Sequence, residues 1–123
     1  MINFFVTHLS YYDEPGVSPD NRAQQFATVV KTIADLKYHN VILTGNFNTD
    51  TWGDFTPIVN TGLLLVNKSG DMMGTYFYGN RDRAFDNIVH SQIFTSSGRG
   101  VVNNGASDHK LLYATLTYRQ QEP

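Results

Sequence analysis

Apolar side chains along this chain fall into short dense runs, with one stretch of helical spacing between the first two. Residues 2–7 (INFFVT) and 41–44 (VILT) are rich in β-branched and aromatic types. They are predicted to be buried strands, apolar on both faces and so covered on both sides. Between them Ala23, Phe26, Val29, Val30, Ile33 and Leu36 recur at helical spacing, predicting a helix that runs to about residue 37. Ser18 before Pro19 marks its start, a capping hydroxyl followed by a proline whose missing N–H costs nothing there. The intervening SYYDEPGVSP, punctuated by Pro and Gly, is a loop. A short helix is predicted over 53–61 and a strand over 63–66. Further strands are predicted at 75–78, 84–90, 99–103 and 110–118. The tail 119–123 (RQQEP) is polar and expected to fray.

Strand, helix, strand and then a series of strands describes an α/β layered arrangement. The polar residues His8, Asn46, Asn48, Asp86, Asp108 and His109 all fall at strand ends or in the loops beside them. Rigid strands ending in a crevice are where such proteins place their chemistry.

Composition narrows the classes. At 123 residues there is room for one domain, and the formal charge of −2 gives no global attraction to a nucleic-acid backbone. The chain has no cysteine, which excludes disulfides and thiolate chemistry and fits a cytoplasmic location best. The opening Met1–Leu9 is short and interrupted by Asn3 and His8, so it is expected to be neither a signal peptide nor a membrane span. Asn67-Lys68-Ser69 is a formal glycosylation sequon.

Four segments concentrate the chemistry: Thr7-His8-Leu9, Gly45-Asn46-Phe47-Asn48, Phe85-Asp86-Asn87-Ile88-Val89 and Ser107-Asp108-His109. Singly, each has a plain structural reading. His8 is a satisfied polar residue, Gly-Asn-Phe-Asn is a turn, Asp86 caps a strand end, and Ser-Asp-His is a hydrogen-bonded loop after Asn104-Gly105. The TYFY strand (75–78) reads as core, and Asn80-Arg81-Asp82-Arg83 as a solvated turn.

Together, in this order and over nearly the whole chain, the four segments resemble the signatures of the endonuclease/exonuclease/phosphatase superfamily, the fold of the DNase I-like nucleases. Arg22 and Thr75-Tyr76-Phe77 also fall where that family carries similar residues. The resemblance implies that residues 1–118 are the C-terminal half of a DNase I-like four-layer α/β sandwich, one mixed sheet with flanking helices. It also implies a divalent-metal-dependent phosphodiester hydrolase of nucleic acid or a phospholipid head group; DNA, RNA, sphingomyelin and inositol phosphates all remain open. It pairs Asp86 with the proton-transferring His109, and gives Asp108 the metal, Mg²⁺ or Mn²⁺. Asn48 contacts a phosphate oxygen or the attacking water, and His8 contacts phosphate or assists proton transfer.

Two departures temper that expectation. Where the family has Gly-Asp-Phe-Asn, this chain has Asn46, and a neutral amide cannot accept the water's proton as a carboxylate can. General-base assistance typically contributes ~10²–10⁴-fold. The family's N-terminal half, with its metal-binding Glu, has no counterpart here, since Glu14 and Glu122 lie in a loop and the tail. The resemblance therefore implies weak metal binding, little activity by this half alone, and an open sheet face needing a homodimer or a complementary N-terminal half. The competing expectation is a degenerate, non-catalytic half-domain that binds or assembles.

Overall fold

The computed structural model describes residues 1–9, 19–35, 40–78, 81–103, 105 and 107–119. The predicted loop with Ser18, the helix end at Leu36, Asn80, Asn104 and most of the tail lie outside the described residues. The element order is β1 (Asn3–His8), α1 (Pro19–Asp35), β2 (Val41–Asn46), a 3-10 turn (Trp52–Phe55), α2 (Thr56–Val59) and β3 (Leu64–Leu65). It continues with β4 (Tyr76–Tyr78), β5 (Arg81–Arg83), β6 (Asp86–His90), β7 (Phe94–Val102) and β8 (Leu111–Tyr118).

A mixed four-stranded sheet, ordered β1-β2-β6-β3, is the centre of the molecule. β1 and β2 run parallel, and β6 is antiparallel to both β2 and β3. Two ribbons, β4-β5 and β7-β8, stand beside it. The parallel pair requires a crossover, which the segment containing α1 supplies.

Register decides which side chains share a face. Phe5, Leu43, Val89 and Leu65 are directly opposite one another across the four strands and face the helices. Over them sit Phe26 of α1, Phe47, Phe55 and Ile58, all fully buried. The rings of Phe26, Phe47 and Phe55 contact each other with centroids 5.2–5.8 Å apart.

The opposite face is a different surface. β1 alternates, so Phe4 and Val6 are 61% and 75% exposed. The expectation that residues 2–7 are buried on both faces is thus corrected: a dense apolar run fixes a strand but not what covers it. Part of this open face is covered along β6 by the β7-β8 ribbon. His90, opposite Ile42, is buried because Phe94 packs over it edge-on at 6.4 Å, with Tyr118 against Phe94.

Other expectations shift for identifiable reasons. Ala23, placed in the apolar stripe of α1, is exposed, so the stripe begins at Phe26. The segment 53–61 breaks into the 3-10 turn and α2. The strand expected from residue 84 starts at Asp86, and the one expected from residue 99 starts at Phe94. In the latter, Gly98 and a polar stretch hid a ribbon that bulges between Ser97 and Gly100. Arg81–Arg83, read as a solvated turn, is β5, and Arg83 makes a two-pronged pair with Asp50 at 2.7 and 2.9 Å. Phe77 of β4, read as core, is exposed. Asn67 is fully buried, so the sequon is closed to glycosylation in the folded chain.

Candidate active site

Parallel pairing of β1 with β2 carries the first two motifs to the same end of the sheet, and antiparallel β6 brings the third. His8 is opposite Asn46, and Asn46 is opposite Asp86, so the three form one row on the open face. The close approach of β1 and β2 needs a glycine: a Cβ on Gly45, at φ 151°, would fall on the Thr7 carbonyl. From the loop before β8, His109 reaches this row, its Nδ1 2.6 Å from Asp86 Oδ2. Both side chains are about one-quarter exposed. With Nδ1 held by the carboxylate, Nε2 is the ring nitrogen that takes no part in the Asp86 contact.

The turn after β2 is held from several sides. Asn46 Oδ1 accepts the Asn48 backbone N–H at 2.9 Å, and Asn48 takes φ 53°, a left-handed conformation that asparagine tolerates. Asn48 Nδ2 donates to the Leu9 carbonyl at 2.5 Å, tying the turn to the end of β1. Buried Arg22 donates to the Asn48 carbonyl at 2.9 Å and to Asp54 at 3.0 Å, while Thr49 donates to the same carboxylate. Arg22 therefore anchors the loop from α1. Beyond the turn, burial by itself pushes the Asp50 carboxyl up. The hydrogen bonds and charge of Arg83, the Ala84 N–H and the charge of Arg81 outweigh it and leave Asp50 below the usual carboxylate value.

Sequence reasoning missed a second shell of fixed groups. Tyr76 stacks on the His109 ring with centroids 4.6 Å apart and planes 25° from parallel, and Phe85 stacks against Tyr76 at 5.7 Å. Thr75 is fully buried; its hydroxyl oxygen accepts the Asp86 N–H and its carbonyl accepts the Lys110 N–H. Asn67 and Asn87, also buried, exchange hydrogen bonds, and Asn67 Nδ2 donates to the carbonyls of Met73 and Asp86. The available signal was the position of Thr75-Tyr76 in the family pattern.

Beside the row, a cleft of about 390 Å³ opens on the exposed face, lined by Thr44, Asn46, Asp86, Ile88, Lys110 and Leu111. A larger apolar cleft of about 510 Å³, between Ile33, Ile58 and Gln92, lies at the other end of β2 and β6. None of its lining residues is titratable, and a third cleft of about 430 Å³ holds Lys68, His90 and Arg119; the smaller cleft is the one that borders the Asn46–Asp86 row.

No protein-family model matches the sequence, and no curated protein is significantly similar to it. Solved structures do match. An endonuclease/exonuclease/phosphatase family protein from Bacteroides thetaiotaomicron superposes with a TM-score of 0.72 and 21% identity, over 95% of this chain and 50% of its own. The mannosyl-6-phosphatase Bt3783 of the same organism gives 0.66 and 21%, over 94% and 51%. The endonuclease domain of TRAS1, a telomere-specific non-LTR retrotransposon, gives 0.59 and 17%, over 86% and 56%. The fold is half of a DNase I-like domain. The chain spans about half the length of each of these three structures.

Within this DNase I-like half, His8, Asn46, Asp86 and His109 come together. Asn48 lies next to them, with its side-chain amide engaged by Leu9. Asp108, the expected metal ligand, is exposed beside His109. Among the described residues no three His, Asp or Glu side chains converge to hold a metal ion. The Asp86 carboxylate is engaged by His109. The residues present thus do not fit a metal centre by themselves. No described helix is long and apolar enough to cross a membrane.

Proposed function

We propose that the chain is the C-terminal half of a phosphodiester hydrolase domain acting on nucleic acid or a phospholipid head group, poorly active on its own. The observation that carries this reading is the Asp86–His109 pair in line with Asn46 and His8 on a DNase I-like half-fold. In this reading Asp86 fixes the His109 ring, and Nε2 takes a proton from water or delivers one to the leaving oxygen. His8 and the second N–H of the Asn48 amide, whose first goes to the Leu9 carbonyl, are the groups offered to phosphate. Mg²⁺ or Mn²⁺ at Asp108 would need further donors, which the other half of the domain would bring. A cytoplasmic location is part of the proposal, supported by the absence of cysteine.

The reading also takes the open face as an interface. Exposed Phe4, Val6, Leu64 and Leu111 support it, since monomers seldom leave apolar patches of that kind uncovered. A second copy in a two-fold dimer is the proposed cover. Sedimentation at micromolar concentration tests it; a well-folded monomer there would sink the dimer and leave a complementary N-terminal half as the occupant.

One observation favours a second reading, a non-catalytic binding or assembly module. Asn46 keeps the oxygen that accepts the Asn48 N–H but cannot accept a proton from water. Hydrolysis assays separate the two. The purified chain is incubated with Mg²⁺ or Mn²⁺ and a panel of DNA, RNA, sphingomyelin, an inositol phosphate and a sugar phosphate. Little turnover is expected from the unmodified chain. Asn46→Asp, supplied with a complementary half, should gain ~10²-fold or more, the scale of general-base assistance, and lose it again with His109→Ala. No gain in that pairing favours the binding module, and robust Mg²⁺-dependent cleavage by the unmodified chain refutes the expected weakness.

A further inference from the structure

The Asp86–His109 contact joins segments that are far apart in sequence, and one dipeptide touches both. Thr75 accepts the Asp86 N–H on its hydroxyl at 3.1 Å and the Lys110 N–H, one residue past His109, on its carbonyl at 2.7 Å. Its own N–H is fixed to the Arg83 carbonyl at 2.9 Å. Tyr76 then pairs in an isolated bridge with His109 and lays its ring against the imidazole at 4.6 Å. The far side of this arrangement is rigid as well. Phe85 stacks on Tyr76, the Arg83 guanidinium lies 4.9 Å from the Phe85 ring centre, and Arg83 is clamped by Asp50.

A hydrogen bond to Asp86 constrains one nitrogen of the imidazole but leaves the ring able to rotate about that contact. A flat partner parallel to the ring removes this freedom. The geometry points to Thr75-Tyr76 as the positioning element of the pair: Thr75 sets the spacing of the two backbones, and Tyr76 sets the plane of the His109 ring. Together they fix the orientation of the imidazole, and with it the direction in which Nε2 points. This rests on Asp86–His109 being the working pair, but not on any turnover, because it concerns the resting geometry.

Nuclear magnetic resonance on the unmodified chain tests it directly, with the His109 signals assigned by their loss in His109→Asn. The His109 ring protons should be shifted upfield by the Tyr76 ring and show cross-peaks to it. The ring nitrogens should report a single Nδ1–H tautomer. Tyr76→Phe should keep both signatures. Tyr76→Leu should lose the upfield shift and give tautomer-averaged nitrogen shifts, and Thr75→Val should loosen the tautomer. Asp86→Asn should lose the tautomer while retaining the ring-current shift, which separates the two constraints. Unshifted His109 protons in the unmodified chain overturn the proposal whether or not any variant folds, as does a Tyr76→Leu protein with unchanged His109 signals. Absence of hydrolysis leaves these signatures untouched, so failure of the functional reading and failure of this one are separately visible.

Discussion

The two faces of the central sheet are built from the same strands and almost the same residue types, yet they have opposite fates. On one, Phe5, Leu43 and Val89 lie beneath Phe26, Phe47 and Phe55. On the other, Phe4 and Val6, their immediate neighbours along β1, face outward. The difference comes from what the chain supplies: among the described residues α1 and α2 pack on the first face, while the β7-β8 ribbon covers only part of the second, along β6. The candidate site stands on the second face. Stability and chemistry are therefore assigned to opposite sides of one sheet, and substitutions can address each separately.

The largest effect is expected from the covered face. Phe47→Ala removes a fully buried ring from the aromatic cluster and should cost about 3–5 kcal/mol in denaturant unfolding. A loss under about 1 kcal/mol would mean that the helical side is not the core. Next comes the Asp50–Arg83 pair at the rim. Asp50→Ala strands a mostly buried guanidinium and should cost about 3 kcal/mol. Its pH dependence has a definite sign. The folded-state Asp50 carboxyl is depressed, so its contribution is complete above the unfolded-state value and is lost as pH falls through the folded one. The stability of the unmodified chain should therefore fall more steeply in acid than that of Asp50→Asn. Parallel acid profiles would show that the pair is not formed. Smallest are the open-face changes. Phe4→Ser and Val6→Thr should move intrinsic stability by no more than about 0.5 kcal/mol, while weakening self-association seen by sedimentation. If they unfold the chain even when dilute, the open face is covered within the monomer.

Where the fold was legible from sequence, local spacing sufficed. Period and composition located β1, α1, β2 and β8, and glycine and asparagine marked the turn that carries Asn46 and Asn48. The candidate site was legible through four ordered motifs, whose resemblance implied the contact that Asp86 and His109 make. What stayed hidden depends on partners distant in the chain. Arg81–Arg83 has the look of a turn until Tyr76–Tyr78 pairs with it and Asp50 neutralises Arg83. Asn67 has the look of a surface sequon until Asn87 meets both its backbone groups. Tyr76 reads as core because no local signal says that its neighbour is an imidazole. Exposure of Phe4 and Val6 was illegible for a related reason: an apolar strand face states a need for cover and says nothing of who provides it.

The parallel register of β1 with β2 also sets an order of events in time. Asn3 must find Val41, and no hydrogen bond between these strands can form until the chain between them has turned back. β7 and β8, by contrast, are neighbours in sequence and can zip from their shared loop. Closing the longer loop costs entropy before any contact offsets it, which slows assembly of the sheet. The segment INFFV is made before its mate β2 and stays unpaired meanwhile, with two apolar faces and open edges. The strand that carries His8 is thus exposed to pairing with a stranger, and crowding of nascent copies favours loss of the chain to aggregation.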